Sequence, residues 1–232
     1  DHIAIPPDDA EGSEGRYLDP LATLAFLAGT TNRVGLGTSV LVLPYRPALP
    51  TAKWIATIQE LSRGRVQLGV GVGWMEPEFR AVGVARSRRG KIADETLAFL
   101  DRCFRAPDDI VESNGQRFLF RPRPARPPIF VGGAPPHAFR RAIANDAGWM
   151  PMGLAPEMLR PLVEMLDQQA EEAGVGRREV AAMTSLPLAD HARARDRVAE
   201  YAAAGATRII HGERYNNVDE LRRIVDSLGR LS

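Results

Sequence analysis

The sequence predicts an α/β fold, a (β/α)8 TIM-type barrel whose first βα unit lies outside the 232 residues. Two observations predict it. Short apolar, β-branched runs alternate with helical segments, which is the pattern of a parallel sheet covered by helices. The runs are apolar almost throughout, as strands buried on both faces are. Seven such strands are expected, at 3–5, 33–43, 66–72, 129–131, 148–150, 180–186 and 208–211, where a closed barrel needs eight.

The elements follow in order. Asp1-His2-Ile3-Ala4-Ile5-Pro6-Pro7 reads as the end of a strand running into a loop that reaches residue 15. A helix over 21–28 ends at Gly29, and the apolar run from Arg33 closes at Pro44. A helix over 50–61 precedes Arg63-Gly64, and Val66-Gln67-Leu68-Gly69-Val70-Gly71-Val72 is the next strand. Helical stretches over 76–82 and 92–104 lead into 107–126, a segment rich in Pro and Arg, read as an irregular insertion. Strands at 129, 148, 180 and 208 then alternate with helices over 136–145, 156–173, 192–204 and 218–228. The whole chain, 1–232, is expected to form a single barrel domain.

Bulk properties narrow the function classes. Thirty basic and 29 acidic side chains leave a formal net charge of +1, which gives no basis for a nucleic-acid or anionic-membrane partner. The one cysteine, Cys103, sits in a helical run and excludes an intramolecular disulfide. No apolar run approaches the ~20 residues of a membrane span, and no signal peptide opens the sequence, so a cytoplasmic protein is the expectation.

A doubly wound dinucleotide fold would carry Gly-x-Gly-x-x-Gly after its first strand. Here Gly69-Val70-Gly71 meets Trp74 where the third glycine belongs, and Gly35-Leu36-Gly37 meets Val40. Neither a phosphate loop of the Gly-x-x-x-x-Gly-Lys type nor a Gly-x-Ser-x-Gly elbow is present.

Working residues in such barrels come from the carboxyl ends of the strands. That filter selects Asp1-His2, Thr38-Ser39-Val40, Gly73-Trp74-Met75-Glu76, Gly132-Gly133-Ala134, Pro151-Met152-Gly153 and His211-Gly212. His2 beside a carboxylate suits proton transfer near neutral pH, although composition alone favours a surface or strand-end histidine held in a hydrogen bond. Glu76 could be a second acid/base or an acidic residue favoured in the first turn of a helix. Gly132-Gly133-Ala134 before a helix could seat a phosphate or serve as a tight turn. Metal-ligand spacings are missing, so no metal site is expected.

Taken in order, Asp1-His2, the run 33–44, Ala52-Lys53, Leu61-Ser62-Arg63-Gly64-Arg65, the run from Gly69 to Phe79, and Pro128-Ile129-Phe130-Val131-Gly132-Gly133 resemble the luciferase-like monooxygenase superfamily. Within it they resemble the branch that uses the deazaflavin coenzyme F420. The resemblance implies that His2, and Glu76 as a second group, are the catalytic acid/base residues. It implies that Ser39-Val40 is a non-prolyl cis peptide backing the ring, that Asp1, Gly73, Trp74 and Met75 join it in the cofactor site, and that Gly132, Gly133 and Ala134 meet the phosphate. It further implies a homodimer, coenzyme F420 as cofactor and hydride transfer to or from a small organic substrate. The alternatives are an FMN-dependent monooxygenase and a non-catalytic flavin-binding barrel on the same scaffold.

Overall fold

The structure, a computed structural model, describes residues 1–10 and 13–231. The loop expected over 8–15 includes Glu11 and Gly12, which lie outside the described residues. The chain divides into two compact units, Asp1–Gly132 and Gly133–Ser232.

In the first unit, α1 (Pro20–Thr30) leads to β1 (Leu36–Val42), α2 (Ala48–Leu61) and β2 (Val66–Gly71). Then follow α3 (Glu76–Ala81), α4 (Arg89–Arg105), β3 (Ile110–Ser113), β4 (Gln116–Leu119) and β5 (Ile129–Gly132). β1, β2 and β5 lie side by side in parallel, with Leu36 opposite Val66 and Leu68 opposite Ile129. Asp19 caps α1 by accepting from the Ala22 amide at 2.9 Å, with Pro20 at the first helical position. The helix α2 turns Ala52, Ile55, Ala56 and Ile58 inward, and α4 turns Ala93, Leu97, Leu100 and Cys103, giving the helical face of the core. Between them the buried Gln59 accepts from the Val66 amide at 3.0 Å and donates to the Ala125 carbonyl at 3.1 Å, tying helix to strand.

The second unit runs α5 (His137–Ala144), β6 (Gly148–Met150), α6 (Pro156–Glu172), β7 (Ala181–Thr184), α7 (His191–Ala203), β8 (Arg208–His211) and α8 (Val218–Gly229). β7 and β8 pair in parallel, and β6 runs beside β7 through the Trp149–Val180 and Met152–Met183 bridges. Phe139 and Trp149 meet edge to face at 4.8 Å within this core.

Two expectations are corrected. Residues 1–6 form no strand. The amides of Ile3 and Ala4 donate to the Glu78 carboxylate at 2.7 and 3.2 Å, so a side chain satisfies the backbone here. The segment 107–126 is not irregular throughout, because β3 and β4 form an antiparallel hairpin with Ser113 opposite Gln116. Its turn is Asn114-Gly115, both at positive φ (50° and 73°), as a type I′ hairpin turn requires. The other expected strands and helices are present with their ends shifted by a few residues.

Candidate functional site

The site is built where β1 and β2 end. β1 carries one extra residue relative to β2, since Thr38 lies opposite Leu68 but Leu41 opposite Val70. Ser39 and Val40 occupy that bulge, and the peptide between them is cis. The Thr38 hydroxyl donates to the Gly69 carbonyl at 2.7 Å and ties the bulge to its neighbour. Gly71 leaves room for it: a Cβ there would lie 2.6 Å from Val40 Cγ2.

Beyond β2 the chain passes through Gly73 at φ +74°, where a Cβ would sit 2.8 Å from Val42 Cγ1 and 3.2 Å from the Tyr45 hydroxyl. Both the backbone conformation and the space therefore call for glycine. Trp74 then projects outward, two-thirds exposed at 66%, while Met75 turns into the core at 5%.

Asp1 and His2 are anchored onto these strand ends. The Asp1 carboxylate, fully buried, takes two hydrogen bonds from the Arg46 guanidinium at 2.5 and 2.9 Å and one from the Val42 amide at 2.8 Å. Arg46 also donates to Asp19 at 2.7 Å. His2 Nδ1 lies 2.9 Å from Glu78 Oε2, and the imidazole remains about a fifth exposed at 21%. Its ring is 4.7 Å from that of Tyr17 and 6.2 Å from that of Trp74, which it meets edge-on. Tyr17 is itself 45% exposed, so a partly exposed imidazole has two exposed aromatic rings as neighbours.

Glu78 is the centre of this cluster. Its carboxylate, 1% exposed, receives His2, the Ile3 and Ala4 amides, and the Tyr45 hydroxyl at 3.0 Å. Burial acts to raise the carboxyl, but the hydrogen bonds from His2, Ala4, Ile3 and Tyr45 outweigh it and hold the group below its ordinary range. Burial and the adjoining Glu78 push the Tyr45 phenol the other way, upward.

The acid beside His2 is therefore Glu78 and not Glu76. Glu76 lies exposed in the first turn of α3, with its nearest cation, the Arg86 Nε, at 3.8 Å. At about 100° per residue the two glutamates point to nearly opposite sides of the helix. Glu78 shares the inward side with Met75 and Phe79, and that i, i+3, i+4 pattern is the signal that could have found it. Tyr17, Tyr45 and Arg46 carry no comparable mark in the sequence.

The structure brings Asp1, His2, Ser39, Val40, Gly73, Trp74 and Met75 onto the strand ends of the first unit. Gly132 ends β5. Gly133 and Ala134 are exposed residues leading to α5, with Gly133 at φ +107° and its carbonyl accepting from Trp149 Nε1 at 2.8 Å. His211 is engaged at both nitrogens, with the Leu186 amide at 2.9 Å and Glu213 at 3.0 Å. Among the described residues no group of His, Cys, Asp and Glu is arranged to hold a metal ion, and no helix is long and apolar enough to cross a membrane.

A family model described as luciferase-like monooxygenase matches residues 4–230. A protein of Mycobacterium tuberculosis (strain ATCC 25618 / H37Rv), described as uncharacterized, is 28% identical over 229 residues, which cover 95% of this chain and 79% of that one. The FMNH(2)-dependent dimethylsulfone monooxygenase of Pseudomonas fluorescens (strain Pf0-1) is 29% identical over 145 residues, 60% of this chain and 39% of that one. The solved structure of the coenzyme F420 dependent tetrahydromethanopterin reductase of Methanopyrus kandleri matches with a TM-score of 0.67 at 16% identity, over 93% of this chain and 88% of that one.

Proposed function

Because the chain belongs to the luciferase-like monooxygenase family of oxidoreductases, with the TIM-barrel-type fold of that family, we propose that it is a coenzyme F420-dependent oxidoreductase. Its substrate is a small organic molecule, an alcohol, hemiacetal or enone.

The observation that carries this reading is His2, an imidazole held by a buried carboxylate, still a fifth exposed, with the rings of Tyr17 and Trp74 as neighbours. The exposed rings of Tyr17 and Trp74, with a bulge at the same strand ends that exposes Ser39 and half-buries Val40, fit a planar ring system, which would cover apolar surface otherwise left to water. When bound, the deazaflavin supplies a ring carbon that accepts or gives a hydride. Hydride removal from a carbinol carbon leaves an O–H proton to be taken, and His2 Nε2 is the ring nitrogen turned away from Glu78 and free to take it. In the reverse direction the same nitrogen returns the proton. Ser39 and Val40 would back the ring, the backbone at Gly73 would contact it, and Trp74 would bound it. Gly132, Gly133 and Ala134 are the proposed phosphate contacts.

A second reading, an FMN-dependent monooxygenase, is favoured by the 29% identity to the FMNH(2)-dependent enzyme. Titration with oxidised coenzyme F420 and separately with FMN, followed by cofactor fluorescence, distinguishes the two. Low-micromolar F420 binding with weak FMN binding is expected. Tight FMN binding with oxygen uptake by the reduced complex would replace the first reading with the second.

A further inference from the structure

Glu78 accepts from four donors, and two of them leave no choice about where the proton lies. The Ile3 and Ala4 amides can only donate, and both point at Oε1 at 2.7 and 3.2 Å. The Tyr45 hydroxyl has one hydrogen and directs it at Oε2 at 3.0 Å. A carboxyl group surrounded in this way and buried is an anion, with no proton of its own to offer. The contact between His2 Nδ1 and Oε2 at 2.9 Å then needs its hydrogen from the imidazole.

We infer that Glu78 is a positioning residue that fixes neutral His2 as the Nδ1–H tautomer, so that Nε2, on the other side of the ring, presents its lone pair away from Glu78. This rests on the proposed reading of His2 as the proton-transfer group. A free neutral imidazole has both tautomers available. A base pointing the wrong nitrogen at a substrate hydroxyl offers a hydrogen where a lone pair is needed.

The anchoring is rigid for a physical reason. Glu78 sits between Met75 and Phe79 on the inward side of α3, and Phe79 is fully buried with its ring 5.0 Å from that of Tyr45. The carboxylate would have to give up its contacts with His2, both amides and Tyr45 to reach water. Its two amide contacts fix the backbone just after His2, so one side chain sets both the position and the proton of the imidazole.

The test is a tautomer measurement on the full chain labelled with 15N-histidine, at about pH 9 where an ordinary imidazole is neutral. The His2 signals are identified by their loss in His2→Asn. Two-bond proton–nitrogen correlations are expected to show His2 as the Nδ1–H form. Finding it as Nε2–H, or as a mixture, overturns the inference from the wild-type spectrum alone.

In Glu78→Gln the carboxamide oxygen stays with the Ile3 and Ala4 amides and its NH2 faces His2, so the tautomer is expected to reverse. An unchanged tautomer in that folded variant also overturns the inference. Tyr45→Phe, which removes one donor without touching His2, is expected to keep the Nδ1–H form. With a reconstituted substrate, Glu78→Gln is expected to lower kcat about 100-fold with KM little changed, and Glu78→Asp to recover part of it. Cofactor titration judges the proposed function separately, because binding of neither F420 nor FMN would remove that reading while leaving the tautomer result intact.

Discussion

Val40 and Gly71 interlock: any side chain on Gly71 would place its Cβ 2.6 Å from Val40 Cγ2, well inside contact distance. Val40 is β-branched, so its methyls have few other rotamers to occupy. The bulge of β1 is thus accommodated by a missing side chain on β2, and the two positions behave as one unit.

The first prediction follows from that pair. Gly71→Ala is expected to cost about 1–3 kcal/mol through overpacking and to weaken cofactor binding about tenfold by displacing the bulge. Adding Val40→Ala should recover most of the lost stability. Urea midpoints and cofactor titrations of the three variants check it, and additive losses in the double variant would contradict it.

Arg46 grips a carboxylate that has no access to water. Removing the guanidinium in Arg46→Ala leaves Asp1 buried with one amide partner, an expected loss of about 3–5 kcal/mol. Lysine cannot reproduce the two-pronged contact, so Arg46→Lys should fall between the two. Removing both charges, in Asp1→Ala with Arg46→Ala, should be less damaging than Arg46→Ala alone. Thermal unfolding of the set decides the order.

Glu78 sets an acid limit on stability. Its carboxyl is held below a glutamate's ordinary value of 4.5, so the folded state binds its proton less readily than the unfolded chain. The resulting stabilisation is present above that value and is lost as pH falls through the lower folded-state one. Unfolding midpoints measured below about pH 5 should therefore drop less steeply with acid in Glu78→Gln than in the wild type. Parallel acid limbs would show that Glu78 contributes nothing there.

Glu76 is expected to be nearly silent. It is exposed and its contact with Arg86 is long at 3.8 Å, so Glu76→Gln should change stability by less than about 0.5 kcal/mol and leave cofactor affinity unaltered. A large loss of turnover in that variant would return it to the site.

Cys103 is expected to be inert. It is fully buried in α4, and burial pushes its thiol up to about 11. A thiol reagent near neutral pH should label it only after denaturation, and rapid labelling of the folded protein would show local opening of α4.

Most of the helices and parallel strands were legible because their signals are local. Pro20 and Asp19 mark the start of α1, and Val66-Gln67-Leu68-Gly69-Val70-Gly71 reads as a buried strand. The hairpin at 110–119 was legible too, in Asn114-Gly115, yet the surrounding Pro and Arg residues masked it. The strand expected at 3–5 failed because Glu78, some 75 residues away, takes its amides.

By itself the sequence determined the order of elements, the glycine-rich strand end at Gly71 and Gly73, and the presence of a histidine and a carboxylate within reach of chemistry. Only the tertiary structure decided which carboxylate. Glu76 and Glu78 are separated by one proline and differ little in local propensity, but they face opposite sides of one helical turn. Which side faces His2 depends on how Phe79 enters the core beside Tyr45, a packing relation between distant segments that no local pattern records.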